Sequence, residues 1–246
     1  MYHFFVSDDQ VGESEICLTG KDVNHIKNVL RMKMGETLSI SAQKEYDYLC
    51  SIKEIGRDQI LLQIEDIVME GTELPCEITL FQGLAKGEKM DWIIQKCVEL
   101  GAARIVPVAM KRSVVKLDAK KAEAKTKRWN AIAESAAKQA GRSCIPMVSS
   151  VMTMQEALEE GKKCERRFLP YEGAKGMKRT RKLFSEISAG ESIAVFIGPE
   201  GGFSDEEVEE AIRQGYEPMT LGKRILRTET AGMTVLGILM YLLEQE

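Results

Sequence analysis

Residues 192–203 read Ser-Ile-Ala-Val-Phe-Ile-Gly-Pro-Glu-Gly-Gly-Phe, an apolar run that ends in a glycine-rich turn. Such a run suits a strand that is buried on both faces of a parallel sheet. The next residues, Ser204-Asp-Glu-Glu207, have the pattern of a capping box that begins a helix. The stretch therefore predicts a strand, a glycine-rich loop and a helix, which together form the repeating unit of an α/β fold.

The same alternation extends in both directions from this loop, from about residue 76 to the C-terminus. We predict a mostly parallel sheet with helices on both faces. Segments with strand patterns are 78–84, 104–109, 147–151, 166–169, 192–197 and 217–221. Segments with helix patterns are 90–100, 118–140, 154–160, 178–187, 205–214 and 228–243.

The first seventy residues have a different pattern, in which short strands surround a single helix. The segments with strand patterns are 2–6, 16–19, 37–41, 48–55 and 59–67. The predicted helix, Lys21–Met32, has apolar residues at helical spacing, namely Val23, Ile26, Val29 and Leu30. This arrangement predicts a small β-barrel domain over residues 1–72 and a second domain over residues 73–246, with a linker near residue 71.

Charge is distributed unevenly along a chain whose net charge is −4. Residues 71–150 hold 14 Lys and Arg against 8 Asp and Glu, whereas residues 1–70 hold 7 against 13. The basic middle third can bind phosphates, as in a nucleic-acid-binding protein. Because many of these charges fall between Asp118 and Arg142, charge alone favours a solvated helix face over phosphate binding.

Composition also limits the compartment and the kinds of site. No uncharged apolar run is long enough to cross a bilayer, so no membrane span is expected. The six cysteines lie far apart and none has zinc-ligand spacing, which predicts reduced thiols in a cytoplasmic protein and no metal site.

A second loop, residues 221–231, reads Leu-Gly-Lys-Arg-Ile-Leu-Arg-Thr-Glu-Thr-Ala and leads into the last helix. Thr228 or Thr230 could cap that helix, and Ile225 and Leu226 either line a pocket for a flat ring or anchor the loop. Glycine loops after two C-terminal strands together predict a concave ligand site. Neither loop has the GxGxxG or GxxxxGK[ST] pattern, which argues against a nucleotide-binding metabolic enzyme.

The pair IGPEGGFS and LGKRILRTETA resembles the cofactor loops of SPOUT RNA methyltransferases. The resemblance is specific to the 16S rRNA uracil-N3 methyltransferase family, ribosomal RNA small subunit methyltransferase E. Further matches are His25–Met32 with Gly35-Glu36, Lys86–Gly101, Arg112-Ser113, Arg128-Trp129 and Gln139–Arg142. They extend over nearly the whole chain, and the departures are mild: Val98 replaces the family's usual Thr, and Lys138 replaces a frequent Glu.

The resemblance implies a PUA-like β-barrel followed by a SPOUT domain with a trefoil knot, a homodimer, and S-adenosyl-L-methionine (SAM) as the cofactor. It implies that the substrate is 16S rRNA, presented in the small ribosomal subunit, and that no metal is needed. The positions that match the cofactor site are Leu169, Glu172, Ile197, Gly198, Pro199, Glu200, Gly201, Gly202, Leu221, Gly222, Ile225, Leu226, Arg227, Thr228 and Ala231.

Methyl transfer to uracil N3 requires that the nitrogen lose its proton, so a nearby cation or base is expected. Arg227 is the candidate catalytic cation. Glu200 and Glu229 are candidate bases, with loop-fixing ion pairs and helix capping as the other interpretations. Candidate RNA contacts are Arg31, Lys86, Lys89, Arg112 and Arg142.

Two other functions remain open at this point. One is a methyltransferase of this fold that acts on another rRNA or tRNA nucleotide, and the other is a non-catalytic RNA-binding assembly factor.

The burial of the last helix is also open. This helix is apolar almost all round and is buried either within the monomer or at a subunit interface.

Overall fold

The computed structural model describes residues 1–44, 46–69 and 71–244, which form two compact units. The first unit comprises Met1–Glu73 and Ala137–Ile145, and the second comprises Leu74–Ala136 and Pro146–Glu246. The sequence gives no sign that residues 137–145 belong to the first unit. An unbroken helical pattern does not reveal where a helix passes from one set of contacts to another.

The first unit is built on a curled five-stranded sheet. Its strands are β1 (His3–Phe5), β2 (Glu15–Thr19), β3 (Thr37–Ser41), β4 (Asp47–Ile55) and β5 (Gln59–Val68). Their order is β1-β3-β4-β5-β2, with β1 and β3 parallel and the other neighbours antiparallel. Alternate residues such as Leu38 and Ile40 are fully buried, so one face of the sheet carries the core of this unit.

The helix predicted at Lys21–Met32 has an unusual geometry. One α-helical turn, α1 (Lys21–Asn24), continues as a π-helix over His25–Leu30. A π-helix has more residues per turn than an α-helix, so the spacing rule misplaces one apolar position. Ile26 is fully buried, but Val29 is 61% exposed.

Residues 137–145 are held within the first unit by polar contacts. The Lys138 ammonium donates to both carboxylate oxygens of Asp22 at 2.9 Å, and Arg142 binds Glu73 through its guanidinium. The Ser41 hydroxyl donates to the backbone carbonyl of Ser143 at 2.6 Å. These contacts fix the segment that contains Gln139–Arg142, one of the stretches that resemble the family.

The second unit contains the parallel sheet that the apolar strand pattern predicts. Its strands are β6 (Glu77–Gly83), β7 (Arg104–Ala109), β8 (Met147–Val148), β9 (Met152–Thr153), β10 (Arg166–Pro170), β11 (Ser192–Ile197) and β12 (Glu217–Met219). The order is β12-β10-β11-β6-β7-β8, all parallel, and β9 pairs with β7. The predicted strand 147–151 is shorter than expected, because β8 ends at Val148 and β9 begins only at Met152. The α/β prediction is confirmed.

Helices follow most of these strands. They are α2 (Lys89–Glu99), α3 (Ala119–Ala140), α4 (Met154–Gly161), α5 (Met177–Ser185), α6 (Asp205–Arg213) and α7 (Thr228–Leu243). The predicted capping box at the start of α6 forms, because Ser204 and Glu207 bond to each other's backbone N–H groups. In α7, Leu236 and Leu239 are fully buried whereas Tyr241 is 81% exposed. Burial within the unit thus covers one side of α7 and leaves part of its end exposed.

Candidate functional site

A cavity of about 470 Å³ lies at the carboxyl ends of β10, β11 and β12, within the second unit. Ligands bind at this edge in open parallel sheets, and the volume falls in the usual range of small-molecule sites, roughly 300–1,000 Å³. Three segments that follow these strands, at residues 170–172, 197–203 and 220–231, supply nearly all of the wall. Of the fifteen predicted cofactor residues, thirteen line the cavity: Glu172, Ile197, Gly198, Pro199, Glu200, Gly202, Leu221, Gly222, Ile225, Leu226, Arg227, Thr228 and Ala231.

The other two predicted cofactor residues lie outside this lining. Leu169 is fully buried in the core between the sheet and its helices. Gly201 packs against the backbone at Arg112, because a Cβ at position 201 would lie 2.9 Å from the Arg112 carbonyl oxygen. The glycine at position 201 therefore allows close approach of two backbones and does not leave room for a ligand.

The first cavity loop, residues 198–204, is tightly packed. A Cβ on Gly83, at the end of β6, would lie 2.6 Å from the backbone nitrogen of Pro199. Gly202 has φ +67°, a conformation that favours glycine, and its N–H donates to the Pro199 carbonyl at 2.9 Å. Because Phe203 is also buried, this loop forms a fixed wall.

The second cavity loop, residues 220–227, is much more exposed. The Thr220 hydroxyl accepts from the Gly222 N–H and donates to the Gly222 carbonyl, which ends β12 and turns the chain. Gly222 has φ +131°. Ile225 is 83% exposed although it lines the cavity, so the prediction of a pocket-lining residue fits it better than that of a loop anchor.

Thr228 joins the two loops and does not cap α7. Its hydroxyl donates to the Gly198 carbonyl at 2.6 Å and accepts from Gln82 Nε2 at 2.8 Å. Arg227 occupies the N-cap position instead and makes no side-chain capping bond. Gln82, fully buried at the end of β6, was missed from the sequence, although a polar residue within the apolar run Ile-Thr-Leu-Phe-Gln-Gly is a signal that could have identified it.

Charged side chains meet on one wall of the cavity. The Lys89 ammonium is 3.2 Å from Glu200 Oε1 and 3.5 Å from Glu229 Oε2. Burial acts to raise the pKa of Glu200, but the backbone N–H groups of Lys86 and of Glu200 itself, together with Lys89, bring that pKa below its ordinary value. A carboxylate with a lowered pKa is a poor proton acceptor, so the ion-pair interpretation of Glu200 is favoured over that of a base.

The remaining cavity cations lie on the second loop. Arg227, the predicted catalytic cation, is exposed and lines the cavity. Lys223 and Arg224, which the sequence did not single out, are also exposed and also line it. The second loop therefore brings positive charge to the cavity, whereas Glu172 and Glu200 bring negative charge.

The candidate RNA contacts have different environments. Arg31, in the first unit, is exposed and adopts a left-handed conformation with φ +55° at the end of the π-helix. In the second unit Lys86 is exposed, and the Arg112 guanidinium lies 3.9 Å from Asp205. Arg142 is only 3% exposed and is bound to Glu73, so its guanidinium is committed to the protein interior.

Residues 1–44, 46–69 and 71–244 contain no cluster of three or more His, Cys, Asp or Glu that could hold a metal ion. No helix in the described part of the chain is long and apolar enough to cross a membrane. All six cysteines are free, and burial raises the pKa of the Cys50 thiol to about 12, which keeps it protonated.

Comparison with known proteins gives the relationship of the chain. Residues 72–240 match an RNA methyltransferase domain model, and residues 18–65 match an RNA methyltransferase PUA domain model. Ribosomal RNA small subunit methyltransferase E from Bacillus subtilis (strain 168) is 35% identical over 244 residues, which covers 98% of this chain and 95% of the relative. The protein of the same name from Mesomycoplasma hyopneumoniae (strain 232) is 32% identical and covers 96% and 97%.

A solved structure agrees with these matches. The crystal structure of a ribosomal RNA small subunit methyltransferase E from Neisseria gonorrhoeae, bound to S-adenosyl methionine, superposes with a TM-score of 0.84. It is 30% identical and covers 98% of each chain. The near-complete coverage extends the likeness to both the PUA-like region and the parallel sheet. The chain therefore belongs to the ribosomal RNA small subunit methyltransferase E family.

Proposed function

We propose that this protein transfers a methyl group from SAM to N3 of a uridine in 16S rRNA of the small ribosomal subunit, in the cytoplasm. One observation carries the proposal: the two sequence loops that resemble cofactor loops converge on a single cavity of about 470 Å³. The relatives are named as methyltransferases of this RNA, and the Neisseria gonorrhoeae relative binds SAM.

The lining of the cavity fits the parts of SAM. Ile197, Leu221 and Leu226 supply apolar surface of the kind that a flat adenine ring packs against. The glycine backbone of both loops, at Gly198 and Gly222, lets N–H and carbonyl groups approach polar atoms closely. Exposed Glu172 can accept hydrogen bonds from the ribose hydroxyls or the amino group.

The sulfonium of SAM supplies an activated methyl group, so the protein has to align the uracil and favour loss of its N3 proton. Arg227 stabilises the negative charge that develops on the uracil carbonyl oxygens beside N3. Arg227 is exposed at the cavity and takes no part in the ion pairs of Lys89 with Glu200 and Glu229, so its guanidinium is available for this role.

RNA contacts complete the proposal. Arg31, Lys86 and Arg112 are exposed cations that can bind phosphates, and a uridine that is stacked or paired must turn outward to reach a cavity. The same proposal includes the predicted domain organisation, with an RNA-binding PUA-like domain at 1–72 and a methyltransferase domain at 73–246. It also includes the trefoil knot around the cavity loops and a homodimer in which the exposed end of α7 takes part.

The test is methylation in a purified system. Small ribosomal subunits that lack the modification are incubated with the protein and labelled SAM, and the nucleosides are identified by mass spectrometry. One labelled N3-methyluridine supports the proposal, and it should be absent with heat-denatured protein. A different methylated nucleoside would leave the chemistry intact and change the target, whereas no label with any RNA would favour the non-catalytic assembly factor.

A further inference from the structure

The side chain of Lys89 lies on the cavity wall between two carboxylates that belong to different segments. Its Nζ is within 3.2 Å of Glu200 Oε1 and 3.5 Å of Glu229 Oε2. Glu200 is part of the first cavity loop, and Glu229 lies in the first turn of α7, directly after the second loop. A single ammonium group at the start of α2 thus contacts two of the three segments that supply the cavity wall, residues 197–203 and 220–231.

The negative charge of Glu229 is compensated by fewer neighbouring groups than that of Glu200, so Glu229 relies more on Lys89. Its side chain is only 15% exposed, and Oε2 is shielded from solvent without a hydrogen-bond partner. Within residues 1–44, 46–69 and 71–244, Lys89 is the one cation within 4.0 Å of this carboxylate. Glu200 also accepts the backbone N–H of Lys86 at 3.0 Å. Without the ammonium, two carboxylates would remain close together and uncompensated, which is unfavourable in a partly desolvated site.

We propose that Lys89 is a positioning residue, which holds the first loop and the start of α7 in the arrangement that binds the cofactor by neutralising Glu200 and Glu229. This inference rests on the proposed function, because it takes the cavity as the SAM site. It replaces the sequence-based prediction that Lys89 binds an RNA phosphate. The neighbouring Lys86 has an exposed side chain and remains a candidate for that contact.

The decisive experiment is a double-mutant cycle on the full-length protein, with SAM affinity measured by calorimetry and methyl transfer measured on small subunits. Lys89→Gln should weaken SAM binding by roughly fivefold to tenfold and leave the KM for RNA within about twofold, because partly exposed ion pairs have modest coupling energies. Glu229→Gln alone should weaken SAM binding less than Lys89→Gln does, because the ammonium keeps Glu200 as its partner and no carboxylate is left uncompensated. Combined with Lys89→Gln it should restore most of the lost affinity, because the uncompensated charge is gone.

Lys96→Gln is the matched control. Lys96 lies on the same helix, its side chain is 34% exposed like that of Lys89, and it pairs with Glu99 at 2.8 Å away from the cavity. This variant should bind SAM and RNA like the wild type. If Lys89→Gln does not fold, Lys89→Arg keeps the charge and should retain SAM affinity within about threefold, since guanidinium also pairs with carboxylates.

Two results would overturn the inference while leaving the proposed function in place. In the first, Lys89→Gln keeps SAM affinity but raises the KM for RNA and lowers its salt dependence, as a phosphate contact would. In the second, the losses in the double variant simply add. Failure of the wild-type protein to bind SAM saturably would instead overturn the proposed function itself, and the positioning role with it.

Discussion

The two loops that form the cavity are held in opposite ways. The first loop, residues 198–204, is packed so closely that a methyl group on Gly83 or Gly201 would lie within 3.0 Å of neighbouring backbone atoms. The second loop, residues 220–227, presents exposed side chains, and a Cβ on Gly222 would meet nothing within 4 Å. One hydroxyl, that of Thr228, bonds across to the Gly198 carbonyl and joins the end of the second loop to the first.

The two loops meet two different requirements of a ligand site, which are a fixed position for the ligand and room to adjust around it. A fixed wall sets the position of a ligand without an ordering cost on binding, whereas an exposed loop can adjust around the ligand and contact a second substrate. We therefore expect changes in the first loop to act mainly on stability, and changes in the second loop to act mainly on the reaction.

The largest expected effect is the loss of turnover when Arg227, in the second loop, is replaced. Arg227→Ala should lower turnover about 100-fold, because a cation that acts only on developing charge contributes on that scale. Cofactor affinity and the unfolding midpoint should change little, because Arg227 is exposed and makes no capping bond. Steady-state kinetics with small subunits gives the first quantity, and SAM titration gives the second.

Arg213→Ala is the control for that variant. Arg213 is an exposed arginine at the end of α6 that pairs with Glu210 on its own helix, so turnover should be unchanged. Equal turnover in Arg227→Ala and the wild type would show that Arg227 has no catalytic role and that the second loop only lines the cavity.

The next effect concerns the packing of the first loop. Gly83→Ala should reduce the free energy of unfolding by about 2 kcal/mol, because its methyl group would push against the backbone of Pro199. Gly232→Ala is a matched control in α7, where a new Cβ would lie at ordinary contact distances of 3.6 Å or more. Chemical denaturation of both variants makes the comparison, and an equal stability of the two would show that the first loop is not a tightly packed wall.

A smaller effect is expected where the two loops are joined. Thr228→Val keeps the shape of the side chain but leaves the Gly198 carbonyl without its donor, which should cost about 1 kcal/mol of stability. SAM should also bind more weakly. The Thr234 hydroxyl donates to the Thr230 carbonyl of its own helix, so Thr234→Val should leave SAM affinity unchanged. Indistinguishable SAM affinities in the two variants would mean that the Thr228 bond does not organise the cavity.

The smallest expected effect is a pH dependence of stability at Glu206, in the first turn of α6 after the first loop. The pKa of Glu206 falls to about 2, because its own backbone N–H at the start of α6, Lys111 and Ser204 favour the carboxylate. A lowered pKa stabilises the fold above the ordinary value of 4.5, and this stability is lost as the pH falls toward 2. Unfolding midpoints over this range should therefore fall less steeply in Glu206→Gln than in the wild type. Identical slopes would contradict the assignment, and Glu209→Gln on the same helix serves as the control.

Local patterns predicted most of the fold. The apolar run at residues 192–197 and the capping box after it are determined by nearby residues, and both occur as predicted. The place of residues 137–145 in the first unit was not predictable, because it depends on contacts with distant residues such as Asp22 and Ser41. The π-helix at His25–Leu30 was missed because the spacing rule assumes an α-helix.

The site shows the same limit. The convergence of the two glycine loops follows from a general property of parallel sheets. The individual cofactor residues came from the resemblance to known cofactor loops, and thirteen of them line the cavity. Which residue pairs with a given charge does not follow from the sequence. The exposure of Lys86, the two carboxylate partners of Lys89 and the burial of Arg142 against Glu73 therefore emerge only from the structure.

The central claim is that this protein makes one N3-methyluridine in small-subunit rRNA. The most direct measurement is nucleoside mass spectrometry of that rRNA from cells that lack the protein, with and without its return on a plasmid as the wild type or as Arg227→Ala. We expect that one N3-methyluridine is lost, returns with the wild-type protein and does not return fully with the variant. Persistence of N3-methyluridine in the cells that lack the protein would contradict it.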